Sequence, residues 1–336
     1  MPKVLITASG GGHTGYAIAV GGALQDKGHT PWIIVDPNDT WTIEKVKKTL
    51  PGSPMIPLKR LRGPNESLAR LILRAPSRIP EIASLARYIR YGDILICTGS
   101  NHSLLAAIAG KLRRATVLCI EAIDRITTRS RTPAILHDYL NTPILLHWEE
   151  QLKNYPKGIL VGPIYEKPRH KPWNGEYILV ITGSMGNPRL VKLLLKTTLE
   201  NVVIQTGRTI EPAQITDRKR GWRAFKYTPD IGKWIAGAKL VIAHQGLSIV
   251  EAALAYKKPV LLAFNPDLPL TSTLEDAEKL AEILNTRIVN PAYTTPRELE
   301  EAIEETINNY TINTRTYKDY YNAIIKIINK AIGEQK

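Results

Sequence analysis

The apolar run Val4–Ala8 leads straight into Gly10-Gly11-Gly12-His13-Thr14-Gly15, a pattern that leaves few folds open. A strand that feeds a glycine-rich turn and then a helix is a phosphate cradle. Small residues let backbone N–H groups approach an anion, and the helix N-terminus adds partial positive charge. His13 sets this turn apart, because imidazole is the side chain that titrates near neutrality. A titratable base beside a phosphate site points to chemistry as well as binding.

The same alternation of apolar run and helical pattern continues to the end of the chain, as expected of parallel sheets covered by helices. The strand candidates of the first half are Val4–Ala8, 32–35, Ile94–Cys97, Thr116–Ile120, Ile144–Leu146 and 159–161. A second series comprises Tyr177–Ile181, Val202–Gln205, 240–243, Val260–Ala263 and 287–289. Between them, Pro163, Pro168 and Pro172 interrupt any helical period, so the stretch reads as a linker. The expected architecture is α/β, with two Rossmann-like domains facing each other across a cleft. Residues 1–163 form the first, 164–173 the linker and 174–314 the second, while a tyrosine- and lysine-rich helix at about 315–336 packs back on the first.

A length of 336 residues suits two domains of ordinary size. Cys97 and Cys119 sit in apolar runs and read as small buried hydrophobes. They support neither a disulfide framework nor a zinc site, so a reducing cytosol is expected. No stretch reaches the length of a membrane-spanning helix, and the N-terminus reads as a core strand rather than a signal peptide. The net charge of +14 predicts affinity for an anionic surface or for phosphorylated substrates.

Much of that charge gathers at residues 58–91. Lys59, Arg60, Arg62, Arg70, Arg74, Arg78, Arg87 and Arg90 stand there against Glu66 and Glu81. Leu68, Leu71 and Ile72 fall on one helical face opposite Arg70 and Arg74, and Ile82, Leu85, Ala86 and Ile89 repeat the pattern. One reading is a packed amphipathic helix with solvated arginines; the other is a surface that rests on anionic lipid, with contact through Arg70, Arg74, Arg87 and Arg90. Aromatic residues interleaved with base-reading side chains are missing, which argues against nucleic acid.

Gly10, Gly12 and Gly15 also satisfy the dinucleotide fingerprint, with Asp36 at the end of the second strand to hold a ribose. An NAD(P)-dependent oxidoreductase is therefore one alternative, and a UDP-sugar epimerase or binding module on the same fold is another. Against the first stands a complete second site. Thr182-Gly183-Ser184-Met185-Gly186 follows one strand, and His244-Gln245-Gly246-Leu247-Ser248-Ile249-Val250-Glu251 follows another. Glu251 is placed to hold a ribose diol, or else to complete a helix-capping box with Ser248.

These motifs resemble glycosyltransferase family 28. The loop from Gly10 to Gly15, the run Ile120-Glu121-Ala122-Ile123-Asp124-Arg125, and 238–246 followed by Ser248 and Glu251-Ala252 carry the likeness, and Leu146-His147-Trp148 and Val161-Gly162-Pro163 fit it. Within the family the chain resembles a single-chain, archaeal-type fusion of the eukaryotic two-subunit enzyme that adds N-acetylglucosamine to dolichol-diphosphate-linked N-acetylglucosamine. It resembles more distantly the bacterial peptidoglycan transferase MurG. The resemblance implies a GT-B fold, a UDP-sugar donor at the second half and a polyprenyl or dolichyl diphosphate sugar acceptor at the first. It further implies donor contacts from Gly183, Ser184, Tyr227, Thr228, His244, Gln245, Gly246, Ser248 and Glu251, and acceptor contacts from Gly11, Gly12 and His13. Two places differ from the family pattern. The turn from Gly246 to Ser248 is one residue short, and Thr271-Ser272-Thr273 replaces the usual Asn-His-Gln.

Transfer of a sugar requires a base for the acceptor hydroxyl. His13 is the first candidate, and Glu121, at a strand end, is the second unless it simply pairs with Arg125. Thr14, His102 and Arg125 are further acceptor candidates. No Asp-x-Asp cluster occurs, so the expectation is metal-independent, inverting displacement without a cofactor, by a peripheral protein at the cytoplasmic face of the membrane.

Overall fold

Seven parallel strands form the first sheet of the computed structural model, which describes residues 2–60, 76–268 and 272–333. They are β1 (Val4–Ala8), β2 (Pro31–Val35), β3 (Met55–Pro57), β4 (Ile94–Cys97), β5 (Thr116–Ile120), β6 (Ile144–Leu146) and β7 (Ile159–Leu160), in the order β3-β2-β1-β4-β5-β6-β7. Every residue of β1 and β4 is buried, as helices on both faces of a parallel sheet require. The connecting helices are α1 (Gly11–Gln25), α2 (Thr40–Thr49), α3 (Ile79–Ala86), α4 (Asn101–Leu112) and α5 (Arg131–Leu140). Leu5, Ile34, Leu95 and Val117 meet Leu105 and Ala106 of α4 and Leu85 of α3 in one core. Cys97 and Cys119 stand opposite each other in the β4–β5 register, both buried, and burial raises both thiols.

The second sheet has the order β10-β9-β8-β11-β12-β13 and is likewise parallel. Its strands are β8 (Tyr177–Ile181), β9 (Val202–Gln205), β10 (Arg223–Phe225), β11 (Ala238–Ala243), β12 (Val260–Ala263) and β13 (Ile288–Val289). Helices α6 (Pro188–Leu194), α7 (Ala213–Thr216), α8 (Ile231–Gly237), α9 (Leu247–Val250) and α10 (Leu274–Leu284) connect them, and α11 (Pro296–Asn308) follows β13. Both sheets reverse direction at an inner pair, β1/β4 in one and β8/β11 in the other. In such sheets ligands bind outside the carboxyl ends of the strands at that reversal.

Two compact units result, Met1–Ile123 with Arg129–Ile164 and Tyr317–Lys336, and Asp124–Thr128 with Tyr165–Thr316. The last helix, α12 (Tyr320–Gly333), lies on α1. Lys27 caps the Tyr321 ring at 5.7 Å, Tyr317 meets Trp148 edge-on at 5.4 Å, and Gly162 faces the Lys318 carbonyl.

Two strands escaped the pattern reading, β3 and β10. Each is a three-residue edge strand, too short for a period to register, and β3 ends in a proline that an edge tolerates. The stretch between Leu160 and Tyr177 holds no helix or strand, yet it is tied down. Trp173 N–H donates to Ala236 O at 2.8 Å, Gly175 N–H donates to Gly237 O at 2.7 Å, and Lys258 Nζ donates to Trp173 O at 2.8 Å.

Candidate active site

In the first unit the reversal brings together the turns after β1 and β4. His13 sits in the first turn of α1, and its Nδ1 lies 2.5 Å from the carbonyl of Thr98. A carbonyl only accepts, so Nδ1 carries a proton, and the neutral form of the ring is the Nδ1–H tautomer. Gly99 makes room for this, because a Cβ there would lie 2.8 Å from Ile120 O and 3.7 Å from His13 Cε1. Gly11 and Gly12 are exposed, and α1 has neither a side-chain cap nor an acid in its first turn. Its leading N–H groups are thus available to an anion.

Other acceptor candidates have structural duties instead. The Thr14 hydroxyl is buried and bonds Thr42 Oγ at 2.8 Å, while Thr42 donates to Asp39. His102 is fully buried. Its Nε2–H donates to Leu58 O at 2.6 Å, and burial lowers its pKa to about 4. Asp36, the ribose ligand of the dinucleotide reading, accepts from Asn38 N at 2.9 Å and Arg60 N at 3.2 Å. Arg60 also pairs with Asp39. Asp36 is thereby consumed within the fold.

Arg125 belongs to the second unit and Glu121 to the first. Its carboxylate is fully buried and accepts from Ala122 N at 2.7 Å, Ser130 N at 3.3 Å and Tyr155 Oη at 2.6 Å. Burial raises its pKa, against these hydrogen bonds. The adjoining backbone is pinned in the same way. His147 Nε2–H donates to Glu121 O, Gln151 to Ala122 O and Trp148 Nε1 to Ile123 O, while Ile123 N–H donates to Tyr16 Oη. With both oxygens engaged, Glu121 shapes the turn.

In the second unit, the turns after β8 and β11 meet. Gly183 adopts φ +77°, and its missing Cβ is replaced by the His244 ring, which also lies 3.7 Å from the Cβ position of Gly246. Burial lowers the pKa of His244, against the charge of Asp124. Gln245 Oε1 accepts from Asn265 N at 3.0 Å, and Asn265 Nδ2 donates to Gly186 O at 2.9 Å, so the two turns are braced together. Ser184 O accepts from Arg208 N at 3.0 Å beside Gly207. Tyr227 and Thr228 follow β10, the Thr228 hydroxyl accepting from Asp230 N at 3.2 Å.

The capping-box reading of Ser248 and Glu251 is corrected. Gly246 is the N-cap of α9, no side chain caps it, and Ser248 lies inside the helix. Glu251 is the first residue of a π-helical turn, Glu251–Ala255, which continues α9. Such turns gather at functional sites. Glu251 is buried, and its charge, after burial, helps push the Tyr256 hydroxyl up to about 12.

Arg125 donates to Thr128 Oγ at 3.0 Å and lies 4.0 Å from Asp276. Arg87 and Arg90 are exposed beside exposed Tyr88 and Tyr91, whereas Arg70 and Arg74 lie outside the described residues. Leu85 and Ile89 pack into the core. Among the described residues no helix is long and apolar enough to cross a membrane, and no group of three or more His, Cys, Asp or Glu could hold a metal ion. Sequence reasoning missed Thr98, whose contribution is a backbone carbonyl, and Asp276, whose partners are remote in the chain.

Residues 177–327 match the glycosyltransferase family 28 C-terminal domain. No curated protein matches the sequence significantly. Solved structures are similar over nearly their whole length. MurG of Acinetobacter baumannii has 17% identity and a TM-score of 0.61, with 98% of this chain and 100% of that chain covered. The glycotransferase of kitacinnamycin has 12% identity and a TM-score of 0.64 over 99% and 96%. The glycosyltransferase VinC, solved in complex with DTDP, has 15% identity and a TM-score of 0.51 over 98% and 95%. The fold is GT-B, and with that domain the chain is a glycosyltransferase.

Proposed function

We propose that the chain transfers an N-acetylhexosamine, specifically N-acetylglucosamine, from a UDP-sugar to a sugar already linked to dolichyl or polyprenyl diphosphate, as a step in N-glycan precursor assembly. The observation that carries this reading is the His13–Thr98 hydrogen bond, which fixes an imidazole by its Nδ1 at a glycine-lined helix N-terminus without a side-chain cap. His13 Nε2 takes the proton of the acceptor hydroxyl as its oxygen bonds the anomeric carbon. The bond from that carbon to the diphosphate breaks, UDP leaves with the electron pair, and the configuration inverts.

The domain match at residues 177–327 supports a nucleotide-sugar donor in the second unit. There Glu251 holds the ribose, the Gly183–Gly186 and His244–Ser248 turns direct N–H groups at the diphosphate, and Tyr227 and Thr228 face the base. Backbone donors meet the growing charge of the leaving group, with no metal or cofactor taking part. The net charge of +14 and the exposed Arg87, Tyr88, Arg90 and Tyr91 support work on an anionic membrane, at its cytoplasmic face. The commitment of Asp36 to Arg60 weighs against a dinucleotide enzyme.

The test is incubation of the full chain with labelled UDP-N-acetylglucosamine and a short polyprenyl-diphosphate N-acetylglucosamine. A labelled lipid disaccharide, cleaved by a β-specific hexosaminidase, is the expected product. No transfer, together with thermal stabilisation by NAD and none by uridine nucleotides, would overturn the reading.

A further inference from the structure

A cavity of about 300 Å³ opens in the second unit at the amino ends of β12 and β13. The turns assigned to the donor follow β8 and β11, so the cavity lies at the opposite end of the same parallel sheet. Its floor is buried and comes from Ala253, Val260, Leu284 and Lys258. Three of these are apolar. Lys258 is the charged one, and it is only 9% exposed.

Buried charges are ordinarily paired. Among the described residues no carboxylate pairs with Lys258, whose Nζ donates to the Trp173 carbonyl at 2.8 Å. An ammonium carries three donors, so two are left over. Burial lowers the pKa of Lys258, and no neighbouring charge acts against it. At the rim Arg287 pairs with Glu305, which cancels the carboxylate there. The wall of the cavity thus keeps one uncompensated positive charge. The rest of the rim is polar and exposed at Asn285, Asn309 and Thr311. Tyr310 Oη donates to Lys257 O at 2.7 Å, Asn285 Nδ2 to Thr311 Oγ at 3.3 Å and Asn313 Nδ2 to Ile283 O at 2.8 Å, so residues 310–313 are stitched to that rim.

We propose that this cavity binds a phosphate group, free or as a small monoester, with Lys258 as its counter-charge. A tetrahedral oxyanion suits these donors better than a planar carboxylate, because they come from three separate stretches of chain, at Lys258, at Asn285 and at Asn309 to Thr311. Each stretch meets a different oxygen. The site stands apart from the nucleotide-sugar reading and shares no residue with it. Shortly after Asn313 the chain passes from the second unit to the first, between Thr316 and Tyr317. An occupant of the cavity therefore also braces the segment that leads to this crossing.

The test is hydrogen exchange of the full chain titrated with inorganic phosphate and with glycerol phosphate, each against chloride at matched ionic strength. Exchange at residues 285–287 and 309–313 should slow as either is added. A lower midpoint with glycerol phosphate assigns the site to a phosphate monoester, and a lower one with inorganic phosphate assigns it to the free ion. Lys258→Met keeps the apolar stem without the charge and should raise the midpoint at least about tenfold. Asn309→Asp, at an exposed position where the fold is not at risk, sets a carboxylate at the rim and should raise it about as much. UDP affinity should be unaltered in both variants. Protection confined to the glycine turns at 10–15 and 183–186, none at 309–313, or the wild-type midpoint in both variants would overturn the proposal. A wild-type chain that binds no uridine nucleotide would remove the donor reading and leave each of these outcomes to judge the cavity.

Discussion

The ring of His13 is oriented by the Thr98 carbonyl, which accepts a hydrogen bond from its Nδ1–H at 2.5 Å. Thr98 is held in turn, its N–H donating to Thr7 Oγ at 2.9 Å and its hydroxyl to Thr7 O at 3.0 Å. The imidazole is therefore aligned by the two inner strands of its own sheet.

Replacing His13 by alanine should lower turnover by about 10²–10⁴-fold, the ordinary worth of a general base. UDP affinity should stay within about twofold, because the proposed donor contacts lie in the other unit. Single-turnover kinetics beside calorimetry checks both, and wild-type turnover would remove His13 from the chemistry.

Glu251→Ala should weaken UDP binding by about 1–3 kcal/mol through loss of charge-assisted hydrogen bonds to the ribose. No capping bond is lost with it, since Gly246 is the N-cap. Isothermal titration of folded variant gives the answer; unaltered affinity would leave Glu251 without a ribose.

Two buried neutral histidines set an acid limit on stability. His102 and His147 both have pKa values lowered to about 4 by burial. The unfolded chain takes up these protons below about pH 6.5 and the folded chain does not. Stability is thus complete above pH 6.5 and falls as pH drops toward 4, by roughly 3 kcal/mol per histidine at most. Urea unfolding at stepped pH should show a shallower acid slope in His147→Gln than in the wild type. Equal slopes would mean that His147 is not buried neutral.

Gly162 adopts φ +96°, and a Cβ there would run into the carbonyl of Lys318. Gly162→Ala should cost about 2–4 kcal/mol, from the left-handed backbone and the overlap together. Gly28→Ala has the same kind of backbone with no neighbour within 4 Å and should cost only about 1 kcal/mol. Denaturation midpoints of the two variants measure the difference.

Arg87→Gln with Arg90→Gln should weaken co-sedimentation with anionic vesicles by about 1 kcal/mol per charge removed. Transfer to a short, water-soluble acceptor should not change. Equal vesicle binding would return the two arginines to ordinary solvated positions.

The parallel sheets were legible because buried strands such as Ile94–Cys97 are uninterrupted apolar runs bounded by turn residues. Edge strands β3 and β10 were not, since three residues carry no period. At the site, His13 was legible from its place in a glycine turn. Thr98 was not, because any residue supplies the carbonyl that orients the ring. Glu121 stands at a strand end in sequence, and its hydrogen bonds from Tyr155 and Ser130 come from residues that only the fold brings close. Asp276 reads locally as a capping box with Thr273, and nothing near it in sequence announces the bonds it accepts from the N–H groups of Ile126, Thr127 and Thr128.

The packing of α12 on α1 bears on the order in which the chain can mature during its synthesis. The first unit includes Tyr317–Lys336, whereas the second is complete at Thr316. The ribosome thus delivers the whole second unit before it delivers the helix that finishes the first. At about 5–20 residues per second, the earlier sheet waits on the order of ten to thirty seconds for its last layer. During that interval the face of α1 that α12 will cover is open.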